Sequence, residues 1–387
     1  MTLDHNRVII NVHLPLPNGT TKRVHAWVDN GNPDLYLSRR LFESTGGSLR
    51  CDGQVCSGTP PPEMNIGGMT ITLGGRLPGF GIKEAKVPAG GAPIAPGLDA
   101  DINIPSTVLR NYDVLINFPD HELTLAASGS LKFKGVAAKV IVNAGNGLIQ
   151  VPSQIENKKY NLALDLGSSI SFLAEDLFDR LAAAHSGWPH MTGAVGPANL
   201  WGSEDETKWK LMRVDRLQFS PLFLTNIAVV DFPKDRMSVF QKRAGPPTAG
   251  LLGANALINY RVGLDYAHST VYFDIGRLFN FPDFDVIGLI LRPEDDGRFT
   301  ILGIADFDDK PSVPEVQAGD QLVAVDGVPV SGSALGQVWS MLGGEPGKER
   351  TLTLERNGKQ FTVVAKMQHF LGEADENNNS KGKPRKN

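Results

Sequence analysis

Asn161-Leu-Ala-Leu-Asp-Leu-Gly-Ser-Ser-Ile-Ser-Phe-Leu173 is the stretch that decides the fold. Its first half has the pattern of a buried strand, because Leu162 and Leu164 alternate with smaller residues. Asp165 then places a carboxylate at the end of an apolar strand, where only a tight turn or a function would favour one. Gly167 permits a sharp turn or the close approach of another segment. The stretch therefore predicts a strand that delivers one acid to a tight turn.

The same pattern occurs once more, earlier in the chain. Asp29 ends a similar strand two residues before a glycine, and Thr21–Asp29 parallels Asn157–Asp165 in register. A phenylalanine follows each aspartate after thirteen residues, and Leu109–Phe118 parallels Leu257–Tyr266 near the end of each unit. Two matched acids in two matched units predict an internal duplication, with the carboxylates meeting at a pseudo-twofold axis.

Composition gives the fold class. The chain has 387 residues with 42 glycines and 26 prolines, and its apolar runs are short and rich in Val, Ile and Leu. These features predict a mainly β protein with many turns and, at this length, two or three domains. The net charge of −4, with dispersed Lys and Arg, argues against nucleic acid as a partner. No apolar run approaches the ~18 residues of a membrane span.

The pattern predicts four segments along the chain. The first unit covers 1–130, the second 131–276 and a different domain 283–370, while the polar tail 371–387 should be disordered. Helical spacing predicts helices over Ser38–Glu43, Ala174–Ala184 and Ala334–Leu342. Long strand-like runs fall at Asp113–Leu125 and Arg261–Phe273.

A pair of aspartates can hydrolyse a peptide bond without a metal. One activates water as a base while the other protonates the leaving nitrogen. Two carboxylates about 3 Å apart can do this because they share one proton instead of both ionising. On this point the two units resemble the aspartic proteases of the pepsin and retroviral kind. Asp165, Gly167 and Ser168 match that family's Asp-Thr/Ser-Gly-Ser/Ala turn, Asp29 and Gly31 match it in the first unit, and Gly250-Leu-Leu-Gly253 matches its later hydrophobic-hydrophobic-glycine element.

This resemblance implies a two-lobed, pepsin- or retropepsin-like acid protease fold and an aspartic-type endopeptidase acting on protein or peptide substrates. Asp29 and Asp165 become the catalytic pair, in active-site turns that contain Gly31, Gly167 and Ser168. The loops Gly53–Gly68 and Gly193–Trp209 become candidate flaps over the substrate, on which Trp201 could pack. No cofactor and no metal are expected.

The sequence also departs from the family's pattern. The hydroxyl residue that braces the two turns is replaced by Asn30 in one unit and by Leu166 in the other, and Leu166 cannot donate that hydrogen bond. Asn32 replaces a small residue, and Pro105 stands where a match to Gly253 is expected. The alternative is therefore a catalytically inactive pseudoprotease that serves as a peptide-binding scaffold.

Residues 283–370 resemble a PDZ domain, an α+β fold. The match is strongest at Ala318–Gly327, and Gly288-Leu-Ile-Leu291 is similar to the loop that receives a peptide's C-terminal carboxylate. Such domains bind a peptide as an added strand, and Val338 and Leu342 would flank its side-chain pocket. The alternative is that this loop packs on the protease lobe. Two acidic-turn lobes followed by a PDZ-like domain resemble bacterial aspartyl proteases that carry a C-terminal PDZ domain.

The sequence leaves the compartment open. Met1–Arg7 has no signal-peptide pattern, so the protein is either cytoplasmic or has lost a signal. Cys51 and Cys56 are compatible with a local disulfide, which would indicate an oxidising compartment, and equally with two free thiols. The family resemblance and the close cysteine pair favour a periplasmic or secreted protein.

Overall fold

The protein is mainly β in a computed structural model, as its composition predicts. The structure describes residues 1–53, 55–73, 82–88, 94–245, 247–277, 283–307 and 310–372. Within these residues no helix is both long and apolar enough to cross a bilayer. The predicted disordered tail lies outside the described residues from 373 onward. Its first residue was predicted wrongly, because Leu371 is buried and its carbonyl accepts a hydrogen bond from Arg213.

The first part of the chain, residues 1–127, has these described strands and short helices: β1 (Thr2–Asp4), β2 (Arg7–Pro15), β3 (Thr21–Asp29), α1 (Arg39–Ser44), β4 (Arg50–Asp52), β5 (Val55–Gly58), β6 (Glu63–Ile66), β7 (Met69–Thr72), β8 (Ala85–Pro88), β9 (Ile102–Pro105), α2 (Ser106–Leu109), β10 (Tyr112–Asn117) and β11 (Glu122–Ala127). Ser38 caps α1, because its Oγ accepts the N–H of Leu41 at 3.2 Å.

The second part, residues 132–277, has these described elements: β12 (Val136–Lys139), β13 (Ile141–Val142), β14 (Ile149–Ile155), β15 (Lys158–Leu164), β16 (Ser171–Ala174), α3 (Glu175–Ala184), β17 (His190–Thr192), β18 (Lys210–Phe219), β19 (Leu222–Phe232), α4 (Lys234–Ala244), β20 (Gly250–Leu252), β21 (Tyr260–Asp265) and β22 (Thr270–Ile275). Single 3₁₀ turns form at Gly196–Ala198, Glu204–Lys208 and Ala254–Ala256.

The C-terminal part, residues 283–372, has these described elements: β23 (Asp285–Val286), β24 (Leu289–Pro293), β25 (Phe299–Ile304), β26 (Asp306–Phe307), β27 (Lys310–Pro311), β28 (Gln321–Val325), β29 (Val328–Pro329), α5 (Leu335–Leu342), β30 (Glu349–Arg356), β31 (Lys359–Lys366) and β32 (Gln368–His369).

Asp29 and Asp165 lie at the ends of strands in two different sheets. In the first part the strand order is β7-β6-β2-β3-β9, and β3 runs parallel to β9 so that Asp29 stands beside Pro105. In the second part the order is β13-β14-β15-β20-β16-β19-β18-β17, and β15 runs parallel to β20. The N–H of Asp165 donates to the carbonyl of Leu252 at 3.0 Å, one residue past the end of β15. Each acid therefore leaves a strand that has a parallel neighbour.

A third sheet joins the first two parts of the chain. Its order is β11-β10-β21-β22-β12, and β10 of the first part pairs antiparallel with β21 of the second. One hydrophobic core extends over both parts, from Val8 to Phe273. The runs Asp113–Leu125 and Arg261–Phe273, each predicted as one long strand, are both hairpins of two strands. Cys51 and Cys56 form a disulfide that joins paired residues of β4 and β5.

The C-terminal part has its own sheet and also shares a core with the second part. The sheet has the order β24-β25-β28-β30-β31, and α5 packs on it through Leu335, Val338 and Leu342. A second apolar cluster combines residues of the second part with residues of the C-terminal part, namely Phe172, Leu211 and Val230 with Phe284, Ile290 and Phe370. The C-terminal part is therefore packed into the molecule.

Candidate active site

Asp29 and Asp165 lie close together where the two acidic turns meet. A Cβ added to Gly31 would lie 2.0 Å from Asp165 Cγ, so the glycine of the first turn leaves room for the carboxylate of the second. A Cβ added to Gly167 would lie 2.6 Å from Asp29 Oδ1 and 3.2 Å from Asp165 Oδ1. Both Oδ1 atoms thus lie close to one point. A side chain at either glycine would displace a carboxylate.

Hydrogen bonds fix the orientation of both acids. Asp165 Oδ1 accepts the backbone N–H groups of Gly167 and Ser168, each at 3.0 Å. Asp29 Oδ2 accepts Asn103 Nδ2 at 3.3 Å. The side chain of Asn32, which differs from the family's small residue, lies near Asp29 and lowers the pKa of that carboxyl. The residue at position 32 therefore favours the ionised form of the acid.

Asn30 braces the two turns against each other, a role that the sequence did not reveal. Its Nδ2 donates to the carbonyl of Leu164 at 2.8 Å, and its Oδ1 accepts the N–H of Leu166 at 2.7 Å. Asn30 is thus both donor and acceptor across the turn crossing. The side chain of Leu166 is fully buried. The bracing is therefore altered, and one amide side chain supplies both bonds.

Replacing Asn30 tests this brace. Asn30→Leu leaves a buried carbonyl and a buried N–H without partners, which should lower the free energy of unfolding by about 2–4 kcal/mol and reduce activity. Asn30→Thr is the matched control, since a hydroxyl can donate and accept in the same place. Urea unfolding and a cleavage assay measure both effects. Equal stability of the Leu and Thr variants would contradict the role of Asn30.

The environment raises the pKa of both acids. Burial raises the pKa of Asp29 well above its ordinary value, and the neighbouring Asp165 carboxylate raises it further. Burial raises the pKa of Asp165 to about 6, against the opposing effect of its hydrogen bonds from Gly167 and Ser168. A pair coupled in this way titrates as a unit. One of the two carboxyls therefore keeps a proton at a pH where an ordinary aspartate has lost it.

The two acids lie in a cleft of about 400 Å³. The cleft wall includes Trp201, the candidate substrate-packing residue, together with Leu200 from the same loop. None of the described residues that line the cleft comes from Gly53–Gly68, so this predicted flap is not brought to the site. Ile94, Ala95 and Pro96 line it instead. A larger open groove of about 660 Å³ along β14 and β15 contains neither aspartate.

Helix α4 forms a further wall of the cleft that the sequence analysis missed. It presents Arg236, Val239, Phe240 and Arg243, which share one helical face. The guanidinium of Arg236 lies 5.1 Å from the ring centroid of Trp201. Helix end signals were available in the sequence, since the segment follows Pro233, has Asp235 in its first turn and ends in basic residues before a glycine.

The structure does not present Gly288–Leu291 as an open carboxylate-binding loop. All four residues are buried, and a Cβ on Gly288 would lie 2.4 Å from the ring of Phe370. The N–H of Leu291 donates to Asn199 Oδ1 at 2.9 Å. Val338 and Leu342, expected to flank a side-chain pocket, belong to the core of the C-terminal part. Packing against the second part, the alternative considered for this loop, is the arrangement found.

Within the described residues, no group of three or more His, Cys, Asp or Glu side chains could hold a metal ion.

No model of a protein family and no curated protein matches the chain. Among solved structures, the chain is similar to an aspartic proteinase from Irpex lacteus. The two share 11% sequence identity, over 72% of this chain and 97% of that chain, with a TM-score of 0.43. A likeness this distant carries no argument about activity.

Proposed function

We propose that the protein is an aspartic endopeptidase that hydrolyses peptide bonds with Asp29 and Asp165. The observation that carries this proposal is the close approach of the two turns, in which each glycine leaves room for the carboxylate of the other turn. The proposal includes a duplicated pair of lobes, 1–130 and 131–276, followed by a PDZ-like domain over 283–370. The parallel strand pairs β3/β9 and β15/β20 support the duplication.

The proposed reaction uses one proton shared by the pair. Ionised Asp165 accepts a proton from a water molecule while the water oxygen attacks the scissile carbonyl carbon, and Asp29 donates its proton to the carbonyl oxygen. The resulting gem-diol collapses when the C–N bond breaks. Asp165 then protonates the leaving nitrogen, and Asp29 takes a proton from a hydroxyl of the diol. Both aspartates return to their starting states, and the products are an acid and an amine.

The contacts of two altered residues weigh against the inactive-scaffold alternative, which Asn30, Asn32 and Pro105 favoured. Asn30 braces the turns, and Asn32 lowers the pKa of Asp29. Pro105 stands beside Asp29 at the end of β9, where α2 begins. A separate peptide could enter the PDZ-like groove only after Asn199 leaves Leu291.

The Cys51–Cys56 disulfide supports an oxidising compartment for the proposed enzyme.

The pH dependence of cleavage tests the proposed pair. We expect a bell-shaped profile of kcat/KM for a denatured protein such as casein, with its acid limb near pH 6. Activity falls below that limb because protonated Asp165 cannot accept the proton of water. It falls again at higher pH, where Asp29 loses its proton.

A statine-type peptide, which mimics the tetrahedral intermediate, should inhibit cleavage across the active range. A profile that rises steadily down to pH 3 would contradict the assignment of Asp165 as the ionised base. Absence of both cleavage and inhibitor binding would instead support the inactive scaffold.

A further inference from the structure

A groove of the C-terminal part, between strand β24 and helix α5, is filled by the chain's own loops. Strand β24 is the edge strand of its sheet, so its outer backbone groups can pair with another segment. The N–H of Leu291 in β24 donates to Asn199 Oδ1 at 2.9 Å. The N–H of Leu335, where α5 begins, donates to the carbonyl of Gly97 at 2.8 Å. Both acceptors belong to loops outside the C-terminal part.

Each of these loops packs into the groove at a glycine, so its backbone lies close to the residues of the groove. A Cβ on Gly97 would lie 2.6 Å from Leu335 Cβ and 3.0 Å from Pro293 Cγ, so Gly97 sits between α5 and the end of β24. A Cβ on Gly196 would lie 2.2 Å from Trp339 Nε1 of α5. Both glycines have positive φ, +65° and +55°. The groove is therefore closely packed and leaves no room for a second peptide.

The same two loops both contribute residues to the cleft wall. Ile94–Pro96 line the cleft and directly precede Gly97. Leu200 and Trp201 line it and directly follow Asn199. In each loop, the residue next to the cleft-lining segment, Gly97 or Asn199, therefore accepts a hydrogen bond from the C-terminal part.

Glu206 holds the second of these loops in shape. It is fully buried, and its two carboxylate oxygens accept five hydrogen bonds. Oε2 accepts Asn199 Nδ2 at 2.6 Å and the N–H of Leu200 at 3.0 Å. Oε1 accepts the N–H groups of Trp201 and Ser203, both at 2.9 Å, and the Ser203 hydroxyl at 3.2 Å. One carboxylate thus links the residue that contacts β24 to the residues that face the cleft.

We propose that the C-terminal part clamps the substrate cleft. Its groove binds the loops at Gly97 and Asn199 and thereby positions Trp201 and its neighbours for substrate. The part of this proposal that concerns the substrate rests on the proposed endopeptidase function. Glu206 and Asn199 are positioning residues, since they act through Trp201.

Two variants of the full chain test the clamp. Glu206→Gln places an amide N–H₂ among five donors, and Asn199→Ala removes the contacts to both Leu291 and Glu206. With a peptide derived from a casein cleavage site, we expect KM to rise about tenfold while kcat stays within about twofold. Hydrogen exchange should accelerate at both Leu291 and Trp201 in each variant. The effect passes through the loop at Trp201 in Asn199→Ala and at Leu291 in Glu206→Gln, because each variant directly alters the acceptor of the other amide.

Asp113→Asn is the matched control. Its buried carboxylate also accepts a backbone N–H on each oxygen, from Gly129 at 3.0 Å and from Leu131 at 2.8 Å, but it lies outside the cleft wall. It should lower stability without changing KM.

Three results would overturn the clamp. These are an unchanged KM despite faster exchange, faster exchange at Leu291 without any change at Trp201, and no change in exchange at either amide. If the unmodified chain cleaves no peptide, the proposed function fails, whereas the exchange at Leu291 and Trp201 still decides whether the groove and the cleft wall are coupled.

Discussion

Asp165→Asn should reduce kcat/KM for peptide cleavage by about 10³-fold or more, because the amide cannot accept a proton from water. The variant should keep its fold. Asn Oδ1 can still accept the N–H groups of Gly167 and Ser168, which hold the turn. Cleavage of denatured casein near neutral pH, with the concentration of folded protein measured by circular dichroism, gives the effect directly.

The same variant should be more stable than the unmodified protein near neutral pH. Burial raises the pKa of Asp165 from 3.8 to about 6, so the folded state binds a proton more tightly than the unfolded state. The stability that this proton confers is complete below the unfolded pKa and is lost as the pH rises through about 6. Asp165→Asn removes the cost of the buried charge, about 2–3 kcal/mol above pH 7, and the difference should vanish near pH 4.

Asp265→Asn is the control for an aspartate that only ends a strand. Asp265 is buried at the end of β21, and its carboxylate accepts the N–H of His268 at 3.1 Å. Its amide variant should retain full activity. If Asp165→Asn behaves in the same way, Asp165 is a structural turn residue and the proposed mechanism is wrong.

The parts of the fold that the sequence predicted are those with local signals. The alternation before Asp165 predicted the strand that is β15, and the spacing of apolar residues predicted α1, α3 and α5 to within one residue at each end. Helix α4 escaped because only two of its residues, Met237 and Ala244, are buried, so its apolar periodicity is weak. Val239 is 53% exposed, and the face lines an open cleft. The hairpin within Asp113–Leu125 turns through Pro119 and Asp120, a turn signal that the strand pattern on both sides obscured.

The candidate site contains residues from two turns that each have a local signal in the sequence. The structure places both aspartates and both glycines of these turns close together. The brace from Asn30 could not be predicted, because its partners are 134 and 136 residues away and its role depends on the opposing backbone. The filled groove was equally hidden, since Leu291 meets an acceptor 92 residues earlier in the chain. Sequence similarity to a carboxylate-binding loop contains no information on which segment occupies it.

Gly31→Ala should be the most damaging single-methyl change in the chain's active-site turns. The added Cβ would lie 2.0 Å from Asp165 Cγ and 2.2 and 2.3 Å from its two oxygens, distances at which the carboxylate must move. Displacing a catalytic group by about 1 Å costs about 100-fold in rate, so kcat should fall at least that far. Overpacking should also lower the free energy of unfolding by about 1–3 kcal/mol.

Two further glycines make this prediction specific. Gly167→Ala should have the same type of effect through Asp29, whose Oδ1 would lie 2.6 Å from the new methyl group. Gly372→Ala is the control, because its Cβ would meet only ordinary contacts at 3.8 and 3.9 Å. Kinetic assays and thermal unfolding of the three variants compare them. Since the turn crossing requires each glycine to make room for the other turn's carboxylate, full activity in either Gly31→Ala or Gly167→Ala would show that the carboxylates do not meet in solution.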